Sequence, residues 1–398
     1  MSHSRLVLHI APTPFFADRG CHIRIEGIAN CLTSLQYDNL VCTYHHGRDI
    51  KGINTSRISQ IKNYTQTEAG PSKFKLWADW KLLWLVVREC LRTKPDVIHA
   101  HLHEGLMIGL IAKGILFWRR TPLVADMQGS LYGELETHGT FEKYSFLKGP
   151  VKLIERILMM CAKTVICSSE HALSKLQSEF NLSKQKLSLV QDGANLIAPL
   201  PDKAIAELKT KWSIPSTKTV VVYSGALLDG KGLNELKALI LQNQESTDLY
   251  FLIIGYPTEN LDGFLAEHKV NHLCTLTGQI PFESLPDLLG IADIAVDPKF
   301  NEAGEGSGKM LNYLANGLPV LAFDTQNNRR FLPDGAKLAS SVEAMNELLN
   351  DWIKNPQQLS KISTDNLAHF IRNHSWKQTE LQLNGVYQRL YADHSTPS

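Results

Sequence analysis

VVVYSGALLDGKGLNEL, residues 220–236, places three local signals in a row. Val220, Val221 and Val222 form a β-branched apolar run suited to a strand covered on both faces. Glycines at 225, 230 and 232 then let the chain turn sharply. From Leu233 the residues read as a helix. A buried strand, a glycine turn and a helix in that order make the repeating unit of a parallel α/β sheet.

The same unit recurs along the chain. Strand patterns fall at 6–10, 39–43, 97–100, 123–126, 164–167 and 187–190, then at 220–224, 250–255, 274–277, 294–297 and 320–323. The alternation breaks between about 195 and 218, where Pro199, Pro201, Pro215 and a polar run at 202–212 intervene. The sequence therefore predicts an α/β chain of two Rossmann-like domains, 1–200 and 201–374. A final helix, about 375–398, packs back on the first. Ligands of such sheets lie beyond the carboxyl ends of the strands, and the cleft between two such domains is the expected site.

Composition narrows the class. The 398 residues include 41 basic and 40 acidic side chains, which argues against a nucleic-acid binder. Seven cysteines form no CxxC pair and sit mostly in apolar runs, as reduced thiols do in the cytoplasm. No secretory leader or membrane-spanning stretch is expected.

The segment 301–324, NEAGEGSGKMLNYLANGLPVLAFD, concentrates polar chemistry at a helix start. A helix is expected from about Gly308, ending before Gly317 and Pro319. Its free N–H groups and positive dipole end suit a phosphate, and Gly306 and Gly308 allow close backbone approach. Ser307 and Lys309 belong to the same cradle. Glu302 and Glu305 suit hydroxyl donors, so the ligand carries both phosphate and hydroxyls, as a nucleotide sugar does. From this segment alone, a glycine-rich turn with solvated acids stays an equal alternative. GxGK here is not a Walker A loop. Lys231, after Gly225, is placed to neutralise a diphosphate leaving group, against the commoner fate of a surface lysine. Gly255 ends the next strand on the same rim.

Four segments, SGALLDGKGLNEL, FLIIGYP, LTGQIPFESLPDLLGIADIAVDP and EGSGKMLNYLANGLPVLAFD, stand in order at 224–236, 251–257, 276–298 and 305–324. Together they resemble the family 4 glycosyltransferases (glycosyl transferases group 1) of the two-Rossmann GT-B fold. Ser168–Glu170 (SSE) and Asp192-Gly193 resemble the end of that family's first domain. The resemblance implies that Lys231 contacts the donor phosphates and Glu305 the sugar hydroxyls. It implies GT-B architecture, two Rossmann-like domains facing a central cleft. Three positions depart from the family pattern. Ala226 replaces an arginine common after the turn glycine. Asn312 replaces the second motif glutamate, which binds the ribose. Asp192 stands where asparagine is common.

In the first domain Gly20 begins a helix after the loop 11–19, and by position it resembles the family's glycine loop beside the donor diphosphate. Arg19 and Arg24 are placed to meet an anion, or are surface charges; the two readings weigh about equally. The run DVIHAHLHE, 96–104, sets His99, His101 and His103 on one strand face. Metal binding by the three is the minor reading, and no metal is expected. The resemblance instead sets His101 or His103 at the cleft. Gln128 occupies the position of a catalytic-site histidine in many members. Glutamine orients a hydroxyl but is no base. The resemblance implies a front-face attack in which the departing phosphate takes the acceptor proton.

The stretch 73–94, KFKLWADWKLLWLVVRECLRTK, carries Leu76, Trp77, Trp80, Leu83, Trp84, Val87 and Leu91 on one helical stripe, flanked by lysines and arginines. It is read as the core face of a Rossmann helix, with a membrane-facing surface as the alternative. The run 110–120 is read the same way. The expectation is a metal-independent, retaining glycosyltransferase in the cytoplasm, at the inner membrane face if peripheral contact exists. Lys231, Glu305, His101 and Gln128 are its catalytic candidates. It needs no cofactor beyond the nucleotide-sugar donor, takes a glycan or lipid-linked acceptor and binds no nucleic acid. A non-catalytic sugar-nucleotide binder and a nucleotide-sugar epimerase are the alternatives.

Overall fold

The computed structural model describes residues 4–66, 73–137, 140–300 and 308–395. The chain divides into two compact units, Met1–Gly193 with Trp376–Ser398, and Ala194–Ser375.

The first unit holds a seven-stranded sheet, parallel throughout: β1 (Arg5–Ala11), β2 (Tyr37–Thr43), β3 (Asn54–Arg57), β4 (Val97–His101), β5 (Leu123–Met127), β6 (Thr164–Cys167) and β7 (Leu187–Leu189). Their order is β3-β2-β1-β4-β5-β6-β7. The sequence reading missed β3. Its four residues, NTSR, are polar and lie at the sheet edge, where one side needs no apolar cover.

Alternate side chains of β1 feed two cores. Val7 packs with Ile28 and Leu32 of the helix Gly20–Ser34, and with Leu383, Tyr387 and Leu390 of the helix Trp376–Ser395. Leu8 and Ile10 face the opposite layer, built from the helices Lys75–Thr93, Leu102–Ile115 and Lys148–Cys161.

The second unit holds β8 (Thr219–Ser224), β9 (Leu249–Ile254), β10 (Cys274–Gly278), β11 (Ile294–Asp297) and β12 (Val320–Ala322), ordered β10-β9-β8-β11-β12. The units change over at 193/194 and 375/376, not at 200/201 and 374/375. The backbone explains the shift: Ala194 N donates to His374 O at 3.2 Å and Ile197 N to Ala315 O at 3.3 Å, which ties 194–200 to the second unit. The polar run where the strand alternation breaks holds the helix Asp202–Lys211. Its Ile205 and Leu208 lie against the second unit's core.

One reading is overturned outright. The helix Lys75–Thr93 turns Ala78, Leu82, Leu85 and Val86 to the core, while Trp77, Trp80 and Trp84 stand 53%, 51% and 48% exposed. Only Leu83 and Val87 of the tryptophan stripe are buried. The helix is apolar on two sides, and the smaller aliphatic side fits the sheet. The run 110–120 behaves alike, with Phe117 and Trp118 exposed.

Candidate functional site

In each sheet the strand order reverses once, between β1 and β4 and between β8 and β11, and the carboxyl ends beside that reversal are where such sheets take ligands. Among the described candidates, Gly225 and Lys231 follow β8, Gly308, Lys309 and Asn312 lie on the helix after β11, and Gly20 opens the helix after β1.

In the second unit Gly225 follows β8 with φ +142°, and Gly255 follows β9. A Cβ on Gly255 would stand 1.9 Å from the Gly225 carbonyl oxygen, so the two loops meet backbone to backbone. Gly232, at φ +92°, likewise presses against the Pro298 carbonyl, where a Cβ would come within 2.5 Å. That contact fixes the loop carrying Lys231 against the segment that follows β11. Lys231 ends a short turn of helix, Asp229–Lys231, and is half-buried.

Lys309, in the first turn of the helix Gly308–Ala315, pairs with Asp297 at 2.6 Å and lies 4.9 Å above the Tyr223 ring. Its side chain is 17% exposed. Lys309 was read as a cation waiting for phosphate. In the structure its charge is already offset by a nearly buried carboxylate, so an anion here would share it with Asp297. Tyr313, fully buried one helical turn on, accepts from Ser224 N at 2.7 Å and so ties this helix to the end of β8. Asn312 is half-buried on the same helix. Glu302, Glu305, Gly306 and Ser307 lie outside the described residues.

In the first unit Gly20 opens its helix, and apart from its chain neighbours and its own helix backbone nothing lies within 4 Å of where its Cβ would be. Behind it is a buried polar network. Arg24 was read as an anion ligand or a surface charge and is neither. It is 2% exposed, grips both Asp126 oxygens (Nη2 to Oδ1 2.7 Å, Nε to Oδ2 3.1 Å), and donates to Asp192 at 2.5 Å and to Val190 O at 2.9 Å. Burial would raise the Asp126 carboxyl, but the Arg24 guanidinium and His101 hold it below the ordinary carboxylate range.

His101 is fully buried and faces no open rim, contrary to the expected position at a cleft. Its Nδ1 meets Asp126 Oδ2 at 2.8 Å and its Nε2 meets His9 Nδ1 at 3.0 Å. The proton positions follow from Asn39. Its Nδ2 donates to Ala29 O, Thr33 Oγ1 and Tyr37 O, so its Oδ1 accepts from His9 Nε2 at 2.9 Å. His9 Nδ1 is then free to accept from His101 Nε2. Arg24 and the His101 ring thus hold Asp126 between them, and Arg24 carries Asp192 as a second carboxylate.

Ligand atoms of His99, His101 and Asp126 lie within 4.8 Å of one another. Within that set Arg24 already grips both oxygens of Asp126, and His101 is held between Asp126 and His9. His103 is also buried, at 2.9 Å from Glu155. Fully buried Glu155 accepts besides from Leu131 N and Tyr132 N at 3.1 Å each, and from Ser130 Oγ at 3.2 Å. It clamps the loop after β5. Gln128, half-buried in that loop, donates to Asp126 Oδ2 at 3.3 Å and is where the network reaches the rim.

Burial pushes His9 down to about 3 and His22 to about 3, from 6.5. Their unfolded forms therefore bind protons between those values that the folded forms refuse. Stability is complete above pH 6.5 and is lost on acidification toward pH 3, by about 1.4 kcal/mol per pH unit per histidine. Thermal melts should fall steadily from pH 7 to pH 5, and a flat profile would refute the assignment.

Sequence reasoning missed Asp126, Glu155, Asp297 and Tyr313 as site builders. A signal existed for the acids. Asp126 and Asp297 stand at the carboxyl ends of buried strands, and Glu155 interrupts an apolar helix. An acid in such a place needs a partner.

Residues 19–193 match the model of the glycosyl transferase 4-like domain and residues 204–367 that of glycosyl transferases group 1. The putative teichuronic acid biosynthesis glycosyltransferase TuaC of Bacillus subtilis is 27% identical over 232 residues, 58% of this chain and 53% of that protein. The match thus spans about half the length of this curated relative. Sucrose-phosphate synthase from Thermosynechococcus elongatus shares the fold with a TM-score of 0.77 at 15% identity, over 98% of this chain and 100% of that one. Anabaena HepE, solved with UDP and glucose, does so with a TM-score of 0.72 at 15% identity, over 97% and 100%. The two family models, matching one behind the other across both sheets, carry the assignment: this chain belongs to the group 1, family 4-like glycosyltransferases of GT-B fold.

Proposed function

We propose that this protein transfers a sugar from a nucleoside diphosphate sugar to a hydroxyl of a glycan or lipid-linked acceptor, with retention at the anomeric carbon and without a metal ion. The observation that carries the reading is the rim of the second sheet, where Gly225, Gly232 and Gly255 bring three loops together beside Lys231 and the helix that starts at Gly308. Backbone N–H groups and lysines at a helix start stabilise charge that develops on a departing diphosphate. Lys231 is the principal cation, with Lys309 shared between ligand and Asp297. Glu305 holds the sugar and Asn312, which can donate and accept, the ribose diol. Gly20 and Gln128 border the acceptor. His101 is locked in the core, and the leaving phosphate takes the acceptor proton. HepE, solved with UDP and glucose, and TuaC, named for teichuronic acid biosynthesis, support a sugar-nucleotide donor and a glycan acceptor.

Calorimetry with UDP-, GDP- and ADP-sugars tests the donor. One of them should bind, and Lys231→Ala should weaken binding by about tenfold or more and abolish turnover. Failure of all three donors to bind would sink the reading. Binding without turnover on any acceptor would assign a sugar-nucleotide binder, and a changed sugar without acceptor an epimerase.

A further inference from the structure

We propose that the outer face of three helices in the first unit, Lys75–Thr93, Leu102–Ile115 and Lys148–Cys161, is a docking surface for an anionic lipid bilayer. These helices link β3 to β4, β4 to β5 and β5 to β6, so successive right-handed crossovers set them side by side on one face of the sheet. Their inner sides fill the core through Leu82, Val86, Leu106, Ile108 and Met159.

Their outer sides are apolar too. Among the described residues 22 large apolar side chains are exposed, and 16 of them fall between Leu76 and Met160. Trp80, Trp84, Ile111, Leu153 and Ile157 represent the three helices, each between 45% and 55% exposed. A soluble surface does not gather so many on one wall without a partner for it.

Charge selects the partner. The three helices and the loop 116–120 carry ten lysines and arginines against four acids, in a chain of 41 basic and 40 acidic residues overall. Three of the four acids are withdrawn from the surface, and the fourth, Glu104, is half-buried. Asp79, Glu89 and Glu155 are buried, and Glu104 is paired with Lys75 at 2.5 Å. Arg88 and Arg92 reach outward from Glu89, 67% and 65% exposed. The wall therefore offers tryptophan and aliphatic side chains fringed by cations, and the one part-exposed acid on the helices, Glu104, is already paired with Lys75. A second copy would set these cations against each other, whereas anionic headgroups neutralise them. Tryptophans and long basic side chains suit the headgroup boundary. No described helix is long and apolar enough to cross a membrane, so the face lies on the bilayer.

The test is co-sedimentation of the full chain with vesicles of phosphatidylcholine alone and of phosphatidylcholine mixed with phosphatidylglycerol. The chain should pellet with the mixed vesicles, release in high salt and shift its tryptophan emission to the blue. Trp80→Ser/Trp84→Ser and, separately, Leu153→Ser/Ile157→Ser should each cut the bound fraction by about tenfold while leaving the melting temperature unchanged. Absence of binding, equal binding to both compositions, or unaltered binding by both double variants would overturn the proposal. So would a concentration-dependent dimer in light scattering that the same substitutions abolish. Donor calorimetry on the variants reads the transfer site separately, so failure of one idea leaves the other standing.

Discussion

Arg24→Met is expected to destabilise the protein by about 3–5 kcal/mol, because it strips the partner from a fully buried carboxylate. Methionine replaces the arginine's length but none of its donors to Asp126, Asp192 and Val190 O. The pH dependence gives the change a second signature. In the native protein the folded Asp126 titrates below the ordinary 3.8, so its stabilisation is present above that value and lost only as pH falls through the folded one. Without Arg24, His101 and Gln128 alone oppose the burial, and the folded carboxyl titrates higher than in the native protein. The loss relative to the native protein is then full at neutral pH and shrinks as pH falls through that raised value. Melts of variant and native protein should therefore converge on acidification. The double change Arg24→Met/Asp126→Asn should recover part of the loss at pH 7. A fall of only a degree or two in Tm, or a gap that widens in acid, contradicts the network.

Gly255→Ala is expected to cost about 1–3 kcal/mol and to weaken donor binding by more than that loss implies. The added carbon would stand 1.9 Å from a carbonyl oxygen of the neighbouring loop, a contact relieved only by moving backbone. The loop that moves begins at Gly225 and carries Lys231. Gly263→Ala is the control: it lies within the helix Glu259–Glu267, its Cβ would meet nothing within 4 Å, and alanine favours a helix. Calorimetry with the donor and a thermal melt should separate the two variants. If Gly255→Ala binds donor as tightly as Gly263→Ala does, the loop contact does not shape the site.

The fold was legible because parallel strands covered on both faces read as β-branched apolar runs, and 164–167 and 294–297 coincide with β6 and β11 end to end. β3 was not, since an edge strand of NTSR lacks that pattern. The rim of the second sheet was legible through its glycines and lysines, yet the pairing of Lys309 with Asp297 was not. Those residues are twelve apart, and only the closure of β11 onto its helix brings them together. Arg24 and Asp126 meet across 102 residues, and local reading gives such an arginine to the surface. The tryptophan helix misled for a different reason. Periodicity reports that a face is apolar, not what covers it.

The helix Trp376–Ser395 belongs to the first unit although the whole second unit precedes it in the chain. Synthesis runs in one direction. At about 5–20 residues per second, the 182 residues of the second unit take roughly 10–35 s to emerge. For that interval Val7, Ile28, Leu32 and Val97 await Leu383, Tyr387 and Leu390, which close their side of the sheet. The domain translated first is thus the domain finished last. Its unfinished face is what a ribosome-associated chaperone would meet.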